Sequence, residues 1–168
     1  MVLAVAVTGI VKYLFNCLAH VCNGANYKGK EPGHEYGPFA SPVTCNVSDP
    51  GCLTATQREM ACNSAPGQGG CVPFGKEVTS NLSGGNPITQ YRPNVDMVIN
   101  GTSDGHRYHD GYVVRWTSVN AAGDVRIWTY GIGVNTSTQR AVENQVASRL
   151  LFEKIGIENA INVRSARP

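Results

Sequence analysis

Two histidines three residues apart, in a glycine-flanked stretch, are the most chemically suggestive feature of the sequence. His106 and His109 precede a strand-like run that carries Arg115, and a second such run ends in Thr129 and Tyr130. Neutral imidazole titrates at a pH of about 6.5, so two imidazoles can serve as base and acid in one site. A guanidinium binds phosphate oxygens through forked donors. These residue types suit metal-free cleavage of RNA.

The chemistry of RNA cleavage assigns a role to each of these groups. One group removes the 2′-hydroxyl proton, another protonates the leaving 5′-oxygen, and a cation stabilises the charged phosphorane. His106 and His109 are the candidates for the proton transfers, and Arg115 is the candidate for the phosphorane oxygens. Thr129 or Tyr130 would hold the phosphate. This site needs neither a cofactor nor a metal. Ordinary loop histidines with a solvent-facing Arg115 are the alternative interpretation.

Two other kinds of site are open to the same residues. His106, His109 and Asp110 could ligate a metal, although the sequence has no HExxH motif and no evident further neutral ligand nearby. Cys17 and His106 occur in the order used by Cys–His hydrolases. However, Cys17 has apolar neighbours and five potential disulfide partners.

The bulk composition indicates one domain, or a small domain with a loop-rich extension, and a mild positive charge. The chain has 168 residues, of which 42% are hydrophobic, and this is enough for one core. Its net charge of +2 is far below that of proteins that coat nucleic acid. An enzyme that contacts RNA briefly is still compatible with this charge, because local charge then matters more than the total.

The cysteines are confined to the first 71 residues. They are Cys17, Cys22, Cys45, Cys52, Cys62 and Cys71. No CxxC pair occurs, which argues against a structural zinc site. The even number and loose spacing favour a disulfide framework and an oxidising destination, with buried free thiols as the alternative. The spacing does not choose among the possible pairings.

The N-terminus is strongly apolar but is interrupted by Lys12. The uncharged run before Lys12 has 11 residues, too few to span a membrane. Apolar residues from Ile10 onward recur at helical spacing, which predicts a helix over residues 8–22 that packs against the domain. Insertion of this segment into a membrane is the competing interpretation.

Strand-forming composition marks the segments that would position the candidate site. Segments rich in β-branched and aromatic residues cover residues 95–99, 111–119 and 124–130. Residues 120–123 are typical of a hairpin loop between the last two. Arg115 would share one strand face with Val113 and Thr117.

A short helix is predicted over residues 54–62. Thr54 or Thr56 would be its N-cap, and Glu59 stands three residues after Thr56, as in a capping box. The preceding residues 23–50 are rich in Gly, Pro, Asn and Tyr and show no period, which predicts a loop.

A longer helix is predicted near the C-terminus. Thr136 or Ser137 can cap it, and it runs to about Ile155, where Gly156 ends it. Its apolar stripe comprises Val142, Val146, Leu150 and Leu151. The Gly-Ile-Gly run at residues 131–133 is typical of a tight turn into this helix.

The order of these elements predicts an α+β fold. We expect an N-terminal helix and disulfide-pinned loops packed with a small antiparallel sheet and one C-terminal helix. Residues 160–164 would form a last extended segment at the sheet edge. A cysteine-rich region, residues 1–75, and a catalytic region, residues 76–168, would together form one compact unit.

The C-terminal half carries a pattern that resembles a known group of proteins. Its positions are Gly105-His106, His109-Asp110-Gly111, Val114-Arg115, Gly123, Thr129, Gly131, Gly133, Asn135, Asn144 and Phe152. This pattern is similar to that of the C-terminal toxin modules of bacterial polymorphic toxins, which end Rhs-repeat, secreted-effector and contact-dependent inhibition proteins. It lies within residues 94–155, and the six-cysteine region is outside it.

The resemblance implies a secreted bacterial effector toxin that is delivered into a target cell and neutralised by a cognate immunity protein. Many such modules are nucleases, which implies RNA as the substrate. His106 and His109 would then be acid and base, and Arg115 the phosphate ligand. Thr129 and Tyr130 would be site hydroxyls. Polymorphic toxins also include ADP-ribosyltransferases, deaminases and membrane-active proteins. These classes stay open, as do a Cys–His hydrolase and a disulfide-stabilised binding module.

Overall fold

A computed structural model describes residues 33–82, 85–108 and 111–166 of the chain. The strands in these ranges are β1 (Gly33–Ala40), β2 (Cys45–Asn46), β3 (Glu77–Leu82), β4 (Asn86–Asn94), β5 (Met97–Thr102), β6 (Gly111–Val119) and β7 (Asp124–Val134). The helices are α1 (Cys52–Cys62) and α2 (Thr138–Ser165). The fold is α+β, as the order of the sequence patterns predicts.

One antiparallel sheet contains all the strands, in the order β1-β7-β6-β5-β4-β3, with the short β2 also paired to β7. The predicted hairpin is confirmed, because β6 and β7 pair continuously across the turn at residues 120–123. Alternation along these strands puts Arg115, opposite Thr129, on one face of the sheet. It puts Val114, opposite Tyr130, on the other face.

Both helices pack on the sheet face that carries Arg115. Met60 of α1 lies against Val98 and Ile127 of the sheet, and Phe152 of α2 lies against Tyr36 of β1. The opposite face is apolar and aromatic. Its buried cluster consists of Met97, Ile99, Tyr112, Val114 and Ile132. The strands that carry the candidate site thus have one face covered by the helices and one apolar face.

The helix α2 is longer than its sequence predicts. Its cap is confirmed, because the Ser137 hydroxyl accepts a hydrogen bond from the Arg140 backbone N–H at 3.2 Å. The helix does not end at Gly156 but continues to Ser165, so residues 160–164 are helical rather than extended. Gly156 instead permits close packing, since a Cβ there would lie 3.3 Å from the Cβ of Ser41.

The predicted apolar stripe of α2 faces solvent, which is the reverse of the expectation. Val142, Val146, Leu150 and Leu151 are all exposed. The buried face comprises Ala141, Asn144, Ser148, Phe152, Ile155, Gly156, Asn159, Ala160 and Val163. The sheet surface beneath α2 presents polar groups, which need hydrogen-bonding partners when they are buried. Polar and small residues therefore face the sheet, and hydrophobicity alone selects the wrong side of the helix.

The loop predicted over residues 23–50 contains two strands. β1 pairs with β7 as an edge strand, and its buried His34 and Tyr36 alternate with the exposed Glu35. Such a strand buries only two side chains of mixed character, so its sequence lacks a clear hydrophobic alternation. β3 and β4 also lie outside the predicted strands. The helix predicted over residues 8–22 lies outside the described residues.

The short helix is confirmed, but its predicted cap is wrong. α1 begins at Cys52, and its N-cap is Gly51, whose φ of 77° suits glycine. The Thr56 hydroxyl donates within the helix to the Cys52 carbonyl at 3.0 Å, so it does not cap the N-terminus. The described residues include no helix that is both long enough and apolar enough to cross a membrane.

Two disulfides hold α1 at its ends. Cys45 is bonded to Cys52, and Cys62 is bonded to Cys71. Cys17 and Cys22 lie outside the described residues. Disulfides form in oxidising environments, so the bonds indicate that the protein folds outside the reducing cytoplasm.

Candidate functional site

A cavity of about 330 Å³ opens between β1, α2 and the loop that joins β5 to β6. Both histidines in the described part of the chain, His34 and His106, line it. One wall is polar and is formed by His34 with Asn144 and Ser148 of α2. The rest is largely apolar and includes Ile88 and Phe152. Such a lining, apolar with a few convergent polar groups, is typical of sites that bind small ligands.

His34 lies on β1 with its imidazole turned inward, and only 7% of the residue is exposed. The side-chain Nδ2 of Asn144 lies 2.9 Å from Nε2 and 3.2 Å from Nδ1 of the ring. Because an amide N–H is a donor, Asn144 donates to the ring nitrogen of His34 that carries no proton. Burial lowers the pKa of His34 below its usual 6.5. His34 is therefore a neutral imidazole near pH 7.

A chain of hydrogen bonds fixes the ring of His34. The Ser148 hydroxyl donates to Asn144 Oδ1. The phenol of Tyr36 lies beside Ser148, whose hydroxyl by itself lowers the pKa of the phenol. Burial outweighs this effect and raises the pKa of Tyr36 far above its ordinary value, so the phenol stays protonated. The hydrogen-bonded chain itself runs from Ser148 through Asn144 to His34.

Two glycines on the central hairpin lie close to these rings. A Cβ at Gly131 would overlap the ring of Tyr36. A Cβ at Gly111 would lie 3.0 Å from the Ile132 carbonyl oxygen and 3.5 Å from Cε1 of His34. The Gly-Ile-Gly run at residues 131–133 lies inside β7, so the turn predicted there is wrong.

His106 approaches the cavity from the loop between β5 and β6. Its Nδ1 accepts a hydrogen bond from the Tyr108 backbone N–H at 3.0 Å, and its backbone N–H donates to the Ser103 carbonyl at 3.0 Å. Because Nδ1 is an acceptor, the neutral ring carries its proton on Nε2. His106 therefore presents an N–H donor from that nitrogen. His109 lies outside the described residues.

A cluster of charged groups lies beside this loop. Arg107 and Arg140 both donate to Oε2 of Glu143, at 3.2 and 2.9 Å. The Gln139 amide, followed by Arg140 and Arg107, lowers the pKa of Glu143. The Arg107 side chain is 54% exposed, and its guanidinium lies 5.5 Å from the centre of the Tyr108 ring. Two guanidinium groups thus share one carboxylate at this edge of the cavity.

Arg115 lies in the protein core, and the cavity lining does not include it. It donates to Thr129 Oγ1 at 3.2 Å, to the Asn63 carbonyl at 2.8 Å and to Asn159 Oδ1 at 2.9 Å. Burial lowers the pKa of Arg115 to about 10, against the attraction of Glu59, so the group stays charged at pH 7. Its donors are used within the core, which corrects its predicted role as a phosphate ligand.

The two predicted site hydroxyls lie on opposite faces of the sheet. Thr129 is buried and accepts the hydrogen bond from Arg115. Tyr130 lies on the face away from both helices and donates to Glu35 Oε1 at 2.9 Å. Burial and this contact with Glu35 raise the pKa of Tyr130. The structure thus does not bring these two hydroxyls together with His106.

The sequence patterns do not reveal the residues that build the cavity wall. His34 lies in a stretch without periodicity, so nothing local distinguishes it. Asn144, Ser148 and Phe152 recur every four residues on one face of α2, which is a signal that could have been found. Polar residues at helical spacing usually indicate the solvent-exposed face of a helix. Among the described residues, no three His, Cys, Asp or Glu side chains are grouped as metal ligands.

Comparison with known proteins leaves the chain without an assigned class. No family model matches it, and no curated protein is significantly similar to it.

Proposed function

We propose that this chain is the enzymatic part of a secreted bacterial effector toxin that cleaves RNA without a metal. The observation that carries the proposal is the meeting of His34 and His106, from distant parts of the sequence, in one cavity. One is buried, neutral and held by a hydrogen-bonded chain, and the other has its proton placed on Nε2. A titratable group with a shifted pKa in a cavity, as His34 is, marks a candidate catalytic site.

His34 is the proposed general base. Its lone pair now meets the Asn144 amide, and a substrate 2′-hydroxyl would take the place of that N–H. Catalytic hydrogen bonds commonly rearrange when a substrate binds. The hydroxyl proton would pass to His34, the 2′-oxygen would attack phosphorus, and the bond to the 5′-oxygen would break. His106 Nε2–H would hydrogen-bond to the departing 5′-oxygen, and that oxygen would take the proton held by His34 and leave as a hydroxyl.

Arg107 is the proposed cation of the site, in place of Arg115. It is adjacent to His106 in the chain, is half exposed and is held by a surface ion pair with Glu143. Such pairs are weak, so a phosphate can compete for the guanidinium. Forked donors suit the oxygens of a phosphorane, which carries more charge than the phosphate diester.

The proposed setting is delivery into a target cell, with a cognate immunity protein as partner. The two disulfides support passage through an oxidising compartment. An immunity protein would bind over Arg107 and Arg140, beside the cavity, with acidic residues, because complementary charge speeds association and selects the partner.

Two assays test this proposal: inhibition of growth by the expressed protein, and cleavage of RNA by the purified protein. His34→Gln, His106→Gln and Arg107→Gln should each lower cleavage about 10²–10⁴-fold. Arg58→Gln is the matched control, since Arg58 is an exposed arginine of α1 outside the cavity lining. Cleavage should persist in EDTA and leave a 2′,3′-cyclic phosphate. Full activity in folded His34 and His106 variants would show that the cavity is not the active site.

A further inference from the structure

The outer face of α2 carries a line of apolar side chains. Val142, Val146, Leu150, Ile157 and Ile161 are each between 48% and 62% exposed. Their spacings of four, four, seven and four residues keep them on one side of the helix. The opposite side of α2 is packed on the sheet and is rich in small and polar residues. A continuous exposed apolar line of this kind marks an interaction surface.

The apolar residues are spaced symmetrically along the helix, which is the spacing expected where a second copy of the same helix binds. Val142 and Ile161 stand at its ends, and Val146 and Ile157 stand four residues inside them, so both pairs have the same midpoint. At a rise of about 1.5 Å per residue, the line is about 28 Å long. An antiparallel copy of the helix, related by a two-fold axis at that midpoint, would pair Val142 with Ile161 and Val146 with Ile157.

The surroundings of the line also suit a second copy. A groove runs beside its first half, between α2 and β1, and includes Pro38 and Phe39 with Val146 and Leu150. The two-fold axis would lay the second half of the partner's helix along this groove. An isologous interface uses one patch twice, and the patch must therefore be self-complementary.

Charges near the midpoint fit the same arrangement. Arg149 and Glu153 form an ion pair at 2.9 Å, one helical turn apart. Their midpoint is residue 151, close to that of the apolar pairs. The antiparallel arrangement would thus put Glu153 of one copy beside Arg149 of the other. Opposite charges across the axis favour this pairing over a parallel one.

We propose that the outer face of α2 is a homodimer interface, in which two copies of this chain pair antiparallel about an axis near residue 151. The dimer stands independently of the proposed enzymatic activity. The inner face of α2 forms the wall of the cavity, so both copies would keep an intact site.

Sedimentation and cross-linking of the full chain test the dimer. Wild type should sediment as a dimer at micromolar concentration. Leu150→Glu should weaken association at least tenfold with little change in melting temperature. Phe74→Glu is the matched control, because Phe74 is also 62% exposed but lies outside α2; this variant should remain dimeric. A monomeric wild type, or a Leu150→Glu variant that dimerises normally, would overturn the proposal.

Paired cysteines test the register. In a Cys17→Ser, Cys22→Ser background, the double variant Val146→Cys, Ile157→Cys should form a disulfide-linked dimer under mild oxidation. Val146→Cys alone should not, because the two copies of residue 146 would lie about 16 Å apart along the helices, beyond the reach of a disulfide. An unlinked double variant, or equal linking by the single variant, would contradict the antiparallel register.

Discussion

The ring of Tyr36 on β1 lies directly over Gly131 on β7, where any larger residue would overlap it. This contact seats the phenol beside Ser148, from which a hydrogen-bonded chain runs through Asn144 to His34. A backbone position on the central hairpin therefore decides the orientation of a side chain in the cavity wall.

We expect Gly131→Ala to lower the free energy of unfolding by about 1–3 kcal/mol, because the new methyl group must displace a buried ring. Chemical denaturation followed by tryptophan fluorescence measures the change. Gly101→Ala is the matched control, since a Cβ there would make only an ordinary contact at 3.7 Å with the Thr89 carbonyl. Equal stability of the two variants would show that Tyr36 moves aside freely.

The buried guanidinium of Arg115 should matter for stability. Arg115→Met would remove the three buried hydrogen bonds that the guanidinium donates, and we expect a loss of about 3–5 kcal/mol in unfolding free energy. Arg107→Met should lose less than about 1 kcal/mol, because it breaks an exposed ion pair. Thermal and urea unfolding of both variants measure the contrast. A stable Arg115→Met protein would contradict the role of this residue in the core.

The depressed pKa of His34 should make stability depend on pH. The folded state releases the His34 proton more readily than the unfolded state, whose histidine has a pKa of about 6.5. The contribution is therefore fully present above pH 6.5 and is lost as pH falls through the folded pKa. Urea unfolding of wild type and of His34→Gln between pH 7.5 and about 4.5 measures the His34 contribution as the difference between their free energies of unfolding. A difference between the two proteins that does not change with pH would refute this assignment.

The two disulfides predict a specific count of free thiols. Protein purified from an oxidising compartment and denatured without reductant should show at most two reactive thiols, those of Cys17 and Cys22. Replacing Cys62 and Cys71 together by alanine should cost about 2–3 kcal/mol, the loop-closure entropy of a short loop. Six reactive thiols in such a preparation would contradict the pairing.

Sequence patterns predict the α+β class, the β6–β7 hairpin, the helix α1 and the start of α2 at Ser137. Each of these rests on local chemistry: β-branched and aromatic runs for the strands, a capping-box pattern for α1, and a hydroxyl cap for α2. The pattern located α1, although its N-cap is Gly51 rather than a threonine. Such signals act within a few residues, so they can be read without knowledge of the rest of the chain.

The side of α2 that packs and the composition of the cavity are decided only by the tertiary structure. His34 and Asn144 are 110 residues apart and meet only because β1 pairs with β7 beneath α2. Arg115, the most plausible phosphate ligand in the sequence, is held inside by Asn159 and the Asn63 carbonyl. The residues around a charged side chain in the sequence do not show whether it pairs with groups in the core or binds a ligand. Only the positions of distant acceptors make that distinction, because burial of a charge is tolerated where those acceptors surround it.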